Sequence, residues 1–500
     1  MKRMACSLLG LAFFFQLAAV PADMETQKRV HKSKLAGTWY NGNAAALTQQ
    51  IQGFFQTAPE SPPGANRARA LIVPHAGYAW SGDTAAWAYK AVQGQKVKRV
   101  ILMGPSHHVA IQGGSIPRID AYETPLGVVP LDTAACQKLL ENRFIQTVPA
   151  AHDEEHSVEI QLPFLQSVFQ DFTLVPLVIG EISPESCVAI AEALKPWLDA
   201  ETLLVMSSDF THQGRRFGYV PFKEKVKENV QRLDFAAVNH ILQFDVRGLW
   251  GFLDKTRATI CGRNPILIGL MALPLQTQVE FLRYTTSGDK TGDSSETVSY
   301  CSLLFREQPE YLNEEEAGRL LAIARTTLEN SLKEKKAVVF VPPEDQITER
   351  MKAKKGIFVT LKKQGELRGC IGNIESGRPL YEAAAQTVLL SALRDRRFEP
   401  VHESELKDIE IEISILSPLR PAASWKEIML GRDGIVISKA GRQALFLPQV
   451  ALEQGWNIEE TLSQLCLKAG LDKQDWQSDC AFQTFTAQVF GETYRDLTVQ

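Results

Sequence analysis

Residues 68–77 read ARALIVPHAG and residues 97–108 read VKRVILMGPSHH. Each is a short apolar run that stops abruptly at proline and histidine. Residues 172–180, FTLVPLVIG, and 201–210, ETLLVMSSDF, repeat the pattern. Such continuous apolar runs describe strands covered on both faces. The intervals between them leave room for crossover helices. The spacing therefore predicts an α/β domain with a parallel or mixed sheet. The polar ends of the runs then fall just past the carboxyl ends of the strands, where open α/β sheets place their ligands.

Histidines gather at those ends. Six of the nine lie between residues 75 and 212. They occur in PHAGY (His75), GPSHH (His107, His108), HDEEHS (His152, His156) and SSDFTH (His212, with Asp209). Cys261 follows in ICGRNPI. Imidazole and thiolate are standard ligands of iron, copper and zinc, and a set of two histidines with a cysteine or carboxylate leaves positions open for substrate. His75, His107 and Cys261 each stand beside backbone-turning residues: Pro74, Gly104-Pro105 and Gly262. Asp209 and His212, three apart at another strand end, suit a general base, an orienting partner or a further ligand. One histidine in a strand-end loop is commonly just a hydrogen-bonded polar residue. Five polar motifs at one sheet edge point to a single site, although no spacing as diagnostic as HExxH is present.

From about residue 306 the pattern changes. REQPEYLN is polar and carries a proline, which sets a boundary at 306–312 between domains 35–305 and 313–495. The second half reads as α+β. It has an amphipathic helix from 313 with Asn313 as its cap, a second helix opened by Pro379, and a strictly alternating strand in DIEIEISILSP (408–418). GIFVTLKKQGELRGCIGNI (356–374) reads as two strands around a turn, and GIVISKAGRQALFLP (434–448) as a hairpin. Within LRGCIGNI, two glycines flank Cys370 and let the backbone approach another surface, while Arg368 offers a planar anion-binding fork.

The bulk numbers agree with two domains, since 500 residues exceed one ordinary core. A net charge of −4 leaves no basic footprint for nucleic acid. Met1-Lys2-Arg3, an apolar stretch to Val20 and small residues before a cut after Ala22 predict a signal peptide over 1–22, followed by a polar linker over 23–34. The stretch is too short to span a membrane, and the mature chain has no spanning segment. The chain is then exported, to the periplasm; a wrongly assigned start would make it cytoplasmic. Eight cysteines without a CxxC pair point to free, mostly buried thiols rather than a disulfide framework.

Trp39-Tyr40, PHAGYAWSGDTAAWAY, GPSHH, DEEHSVEIQLPFL, SSDFTHQG and ICGRNPI, in that order, resemble the Memo family, AmmeMemoRadiSam system protein B. The resemblance implies a fold like that of the class III extradiol dioxygenases, with metal ligands at His75, His107 and Cys261. It also implies that Asp209 and His212 line the same cleft, with His156 as a further catalytic, proton-handling group. Animal members carry His where this chain has Asn264. LRGCIGNI, the Asp395-Arg397-Phe398-Pro400 element and IEISILSP resemble the AMMECR family, system protein A. The shared system name implies a radical SAM protein as partner.

Three functions fit these residues. The first is an iron- or copper-dependent redox protein. The second is a scaffold that holds a metal, a small molecule or a peptide without turnover, its cleft lined by Trp39, Tyr40, Tyr78 and Trp80. The third is a zinc hydrolase in which Asp209 and His212 activate water. His108 and His152 receive no role.

Overall fold

The computed structural model describes residues 28–61 and 65–497. The predicted leader lies outside them. No helix among the described residues is long and apolar enough to cross a membrane.

The four apolar runs become the centre of a mixed nine-stranded sheet. Ala68–Val73, Thr202–Ser207, Arg99–Pro105 and Thr173–Ile179 lie side by side in that order, all parallel. Nearly every residue in them is buried, because helices cover both faces. Outside Ala68–Val73 the antiparallel strands Thr297–Glu307 and Thr277–Thr286 extend the sheet. Register brings the ends of the four strands level: Val73 pairs with Ser207, and Pro105 with Ile179. The loops that carry His75, His107 and Asp209 therefore leave one edge together.

Two close approaches hold that edge tight. A β-carbon on Gly104 would sit 2.3 Å from Ser157 Oγ, and one on Gly262 would sit 2.3 Å from Ser208 Cβ. Only glycine lets the HDEEHS segment and the Cys261 loop press onto the strand ends. The stretch after His156 is not one helix. His156–Glu159 and Leu162–Val168 are separate short helices, with Pro163 in the first turn of the second.

The second domain is built from two antiparallel four-stranded sheets. In the first, Glu366–Asn373, Ile357–Lys363, Ile409–Leu416 and Ala487–Gly491 are neighbours in that order. Helices Glu314–Glu334 and Leu380–Leu393 pack on one of its faces. Asn313 caps the first helix reciprocally with Glu316. Both predicted hairpins form, with Gln364-Gly365 and Ala440-Gly441 at positive φ in their turns. Ile409–Leu416 differs from its alternating sequence in being buried on both faces. Its outward Glu412 is covered and takes Lys362 as a partner at 2.7 Å.

Candidate metal centre

His75 opens the loop between Val73 and the helix Tyr78–Ala91. It is 1% exposed, and its ring is fixed by a chain of hydrogen bonds. Ser207 Oγ donates to the carbonyl of Ser157 at 2.7 Å and accepts from Gln161 Nε2 at 2.9 Å. Its remaining lone pair faces His75 Nδ1 at 3.0 Å. With its own proton committed elsewhere, Ser207 accepts from Nδ1–H. The neutral ring then carries its free lone pair on Nε2.

His107 is fixed by a carboxylate instead. Glu155 Oε1 accepts from His107 Nδ1 at 2.8 Å, and its Oε2 accepts from the His107 backbone N–H at 2.7 Å. Burial opposes charge on Glu155. The His107 ring and backbone and the Ser157 backbone N–H outweigh it and hold the carboxyl down to about 2. With Nδ1 committed to Glu155, Nε2 is the His107 nitrogen that can face a cation. This is the carboxylate–histidine arrangement that orients and strengthens a metal ligand.

His156 completes a trio. One ring nitrogen from each of His75, His107 and His156 can be chosen so that all three lie within 4.8 Å of one another. The rings of His107 and His156 stack at 4.3 Å, and His75 meets both edge-on, at 5.1 and 5.3 Å. The trio grades from buried His75 to exposed His107, so one side opens to solvent. Trp39, itself 37% exposed, lies against His156 at 4.6 Å. Burial, with His107 next to it, lowers the His156 ring to about 4, and burial holds His75 well below the usual imidazole range. Neutral imidazole is the form that binds metal, so the lowered His75 and His156 rings fit a cation.

Cys261 is not in the trio but touches it. Its Sγ lies 3.0 Å from His75 Nε2 and 3.4 Å from the carbonyl of Asp209. Burial, with Asp209 nearby, raises its thiol well above the ordinary range, so the sulfur is protonated unless a cation is close. Asp209 is buried and accepts the backbone N–H groups of His75 at 2.7 Å and Ala76 at 3.3 Å. It shapes the PHAG turn. His212 stands at the periphery, its Nδ1 donating to the carbonyls of Phe210 and Thr259 at 2.9 and 3.1 Å.

The remaining sequence candidates fall elsewhere. His108 is exposed, 6.2 Å from the His156 ring. His152 is buried behind the site, its Nε2 on Ser115 Oγ at 2.9 Å. Tyr40 and Tyr78 do not line a cleft; both are core residues, with hydroxyls on Glu159 and on the Ile160 carbonyl. Asn264 Nδ2 donates to the Gly180 carbonyl at 2.7 Å and ties the Cys261 loop to a neighbouring strand end. Glu155 and Ser207 are the residues that sequence reasoning passed over. HDEEHS offered three carboxylates without a rule for choosing among them, and Ser207 reads as part of a strand.

In the second domain, Arg368 and Cys370 sit on the edge strand Glu366–Asn373. The Arg368 fork is taken up by Glu405, at 3.1 and 2.9 Å, and by the Glu399 carbonyl. It is not an open anion site. Cys370 Sγ accepts from Thr360 at 3.3 Å, and Gly369 packs where a β-carbon would sit 2.3 Å from the Ser391 carbonyl.

Two family models match the chain. Residues 31–304 match the family model for Memo-like protein, and residues 321–490 match AMMECR1. The chain is similar to Protein memo-1 homolog of Caenorhabditis elegans, 35% identical over 282 residues, which cover 53% of this chain and 80% of that protein. Protein MEMO1 of Xenopus laevis is 32% identical over 294 residues, covering 56% and 98%. Among solved structures, the uncharacterized protein PH0010 from Pyrococcus horikoshii is 36% identical with a TM-score of 0.34, covering 36% of this chain and 93% of that one.

Proposed function

The chain belongs to the Memo-like family and carries an AMMECR1 domain behind it, and from that premise we propose that its first domain is an iron- or copper-binding redox protein. His75 and His107 are the anchoring ligands, His156 is the third imidazole, and Cys261 joins them as a thiolate. The observation that carries this reading is the convergence of three imidazoles of which two have Nδ1 already committed, to Ser207 and Glu155. Surface histidines are not arranged in this way.

Bound iron or copper would supply one-electron chemistry in a cleft whose mixed nitrogen and sulfur donors suit both metals. The protein's own part is to keep His75 and His156 neutral, to hold Asp209 on the turn that presents His75, and to leave His212 as a proton-handling group at the rim. Trp39 shields one face of His156, so a ligand reaches the trio from the His107 side.

The test is anaerobic reconstitution of the purified protein with iron(II) or copper, followed by metal analysis, with His75→Ala and Cys261→Ser in parallel. Stoichiometric iron or copper in the wild type, lost in His75→Ala, supports the reading. Wild type that takes up neither metal ends it, and tight binding of zinc alone favours hydrolysis. A peptide-binding scaffold is the second reading. It draws on the exposure of Trp39, which lies against His156, and of Trp80 in the first turn of the helix after the His75 loop, at 37% and 43%. Ligand capture that survives His75→Ala, without oxygen consumption, favours it.

A further inference from the structure

Cys261 immediately precedes the helix Arg263–Ala272, whose N-cap is Gly262. That helix is buried from Pro265 to its end. It lies directly on the strand that positions His75: a β-carbon on Gly269 would sit 2.2 Å from Met206 Sδ, one residue before Ser207. Its start is held by the Gly262 N–H on Ser208 Oγ at 3.0 Å and by Asn264 on the Gly180 carbonyl. Ten residues of helix span about 15 Å, so its far end is a short rigid lever away from the sulfur.

That far end is held by the second domain. The last carbonyls of a helix have no partner within it and carry the negative end of its dipole. Here Arg495 Nη2 reaches the carbonyls of Leu270, Met271 and Leu273 at 2.8, 2.6 and 2.9 Å. Its Nη1 pairs with Glu314 Oε1 at 3.1 Å, at the start of the second domain's first helix. Glu314 also accepts the Leu275 N–H at 3.0 Å, and Gln488 Nε2 donates to the Leu275 carbonyl at 3.3 Å. Two residues beyond Arg495, Leu497 is buried in the first domain's core. The C-terminal segment thus crosses back over the first domain and ends on the helix that leads from Cys261.

We propose that Arg495 is a positioning residue for Cys261, so that the metal centre of the first domain reaches its working geometry only with the second domain docked. The inference rests on the metal-centre reading for its consequence, though not for its mechanism. Removing the guanidinium leaves three carbonyls at a mostly buried helix end without their cationic partner. The helix relieves this by fraying and shifting, and the shift is felt where Cys261 meets His75. A Lys at the same place restores charge but not the planar fork that serves several acceptors at once.

The experiment uses the full chain with Arg495→Ala, Arg495→Lys and Glu314→Gln, the last keeping the clamp but loosening its ion pair. In metal-free protein, the alkylation rate of Cys261 is followed by peptide mass spectrometry, with amide exchange across 262–273. Iron(II) and copper binding is titrated separately. Arg495→Ala is expected to speed Cys261 alkylation and to weaken metal binding by about tenfold, the usual loss when an outer-shell support is removed. Arg495→Lys should recover part of both, and Glu314→Gln should move both in the same direction by less. Faster exchange at 270–273 with Cys261 alkylation unchanged would overturn the proposal, because the loss would then stop at the helix end. If Arg495→Ala does not fold, the Lys and Gln variants decide by the same readout. If the wild type binds neither metal but alkylation responds, the coupling stands and the redox reading falls.

Discussion

Two parts of this chain carry the same kind of sequence signal and meet opposite fates. In the first domain, polar motifs at strand ends converge with atoms left over. His75 and His107 each commit Nδ1 to a neighbour and leave Nε2 for the cleft, where His75 Nε2 meets the Cys261 thiol at 3.0 Å. In the second domain, LRGCIGNI also places a thiol and a cation beside glycines, but the structure consumes the charge. Arg368 closes on Glu405, and Arg397 closes on Asp395, whose carboxyl is held near 2 chiefly by that Arg397 contact. A motif becomes a candidate site through the donors that its own fold does not use, and not through its residue types.

The comparison breaks most sharply at the ligands. His75→Ala is expected to lower iron or copper affinity by more than about 100-fold, beyond the 10–100-fold typical of outer-shell losses. Cys370→Ser should leave the same titration unchanged. Equal losses in the two would dissolve the distinction between the domains. Next comes Glu155→Gln, which keeps the shape but removes the negative charge that faces His107 Nδ1. Metal affinity should fall by about 10–100-fold by isothermal titration. In the second domain the expected loss is of stability only. Arg368→Ala leaves the Glu405 carboxylate with Lys363 at 2.9 Å as its remaining cation and should cost about 1–2 kcal/mol in urea unfolding with no change in metal uptake.

How much of this was legible follows the same line. The four parallel strands were, because a strand buried on both faces writes itself as an unbroken apolar run. The hairpins at Gln364-Gly365 and Ala440-Gly441 were, because those turns demand residues tolerant of positive φ. The gathering of His75, His107 and Cys261 at one edge followed from strand ends and from family resemblance. The choice of Glu155 over Asp153 and Glu154 was not legible. It depends on Ser157 packing against Gly104, a contact between segments about fifty residues apart. The pairing of Arg368 with Glu405 was invisible for the same reason: a sequence shows which groups exist, and only packing shows which are already spent. Burial of both faces of Ile409–Leu416 was hidden because Glu412, polar in sequence, is covered and paired.

The smallest effect separates two histidines of one motif. His152 and His156 are four residues apart and both are lowered to about 4, in each case first by burial. They differ in what surrounds them: His156 faces the trio, whereas His152 Nδ1 is buried with no partner. An unfolded histidine titrates near 6.5, so below that pH the unfolded chain takes up protons that these two folded rings refuse. Stability therefore falls as pH drops from about 6.5 toward 4 and is flat above, with each ring contributing roughly 1–2 kcal/mol of loss by pH 5. His152→Phe should remove one share of that acid loss with metal binding at pH 7 intact, as read from urea midpoints at pH 7 and pH 5. Folded His156 is still mostly neutral at pH 5, so saturating metal should deepen the acid dependence through it only below about pH 4, where that ring would otherwise take a proton, and should do so equally in His152→Phe. If His152→Phe instead abolished the effect of metal on the acid slope, His152 would belong to the site and the boundary drawn behind His156 would have to move.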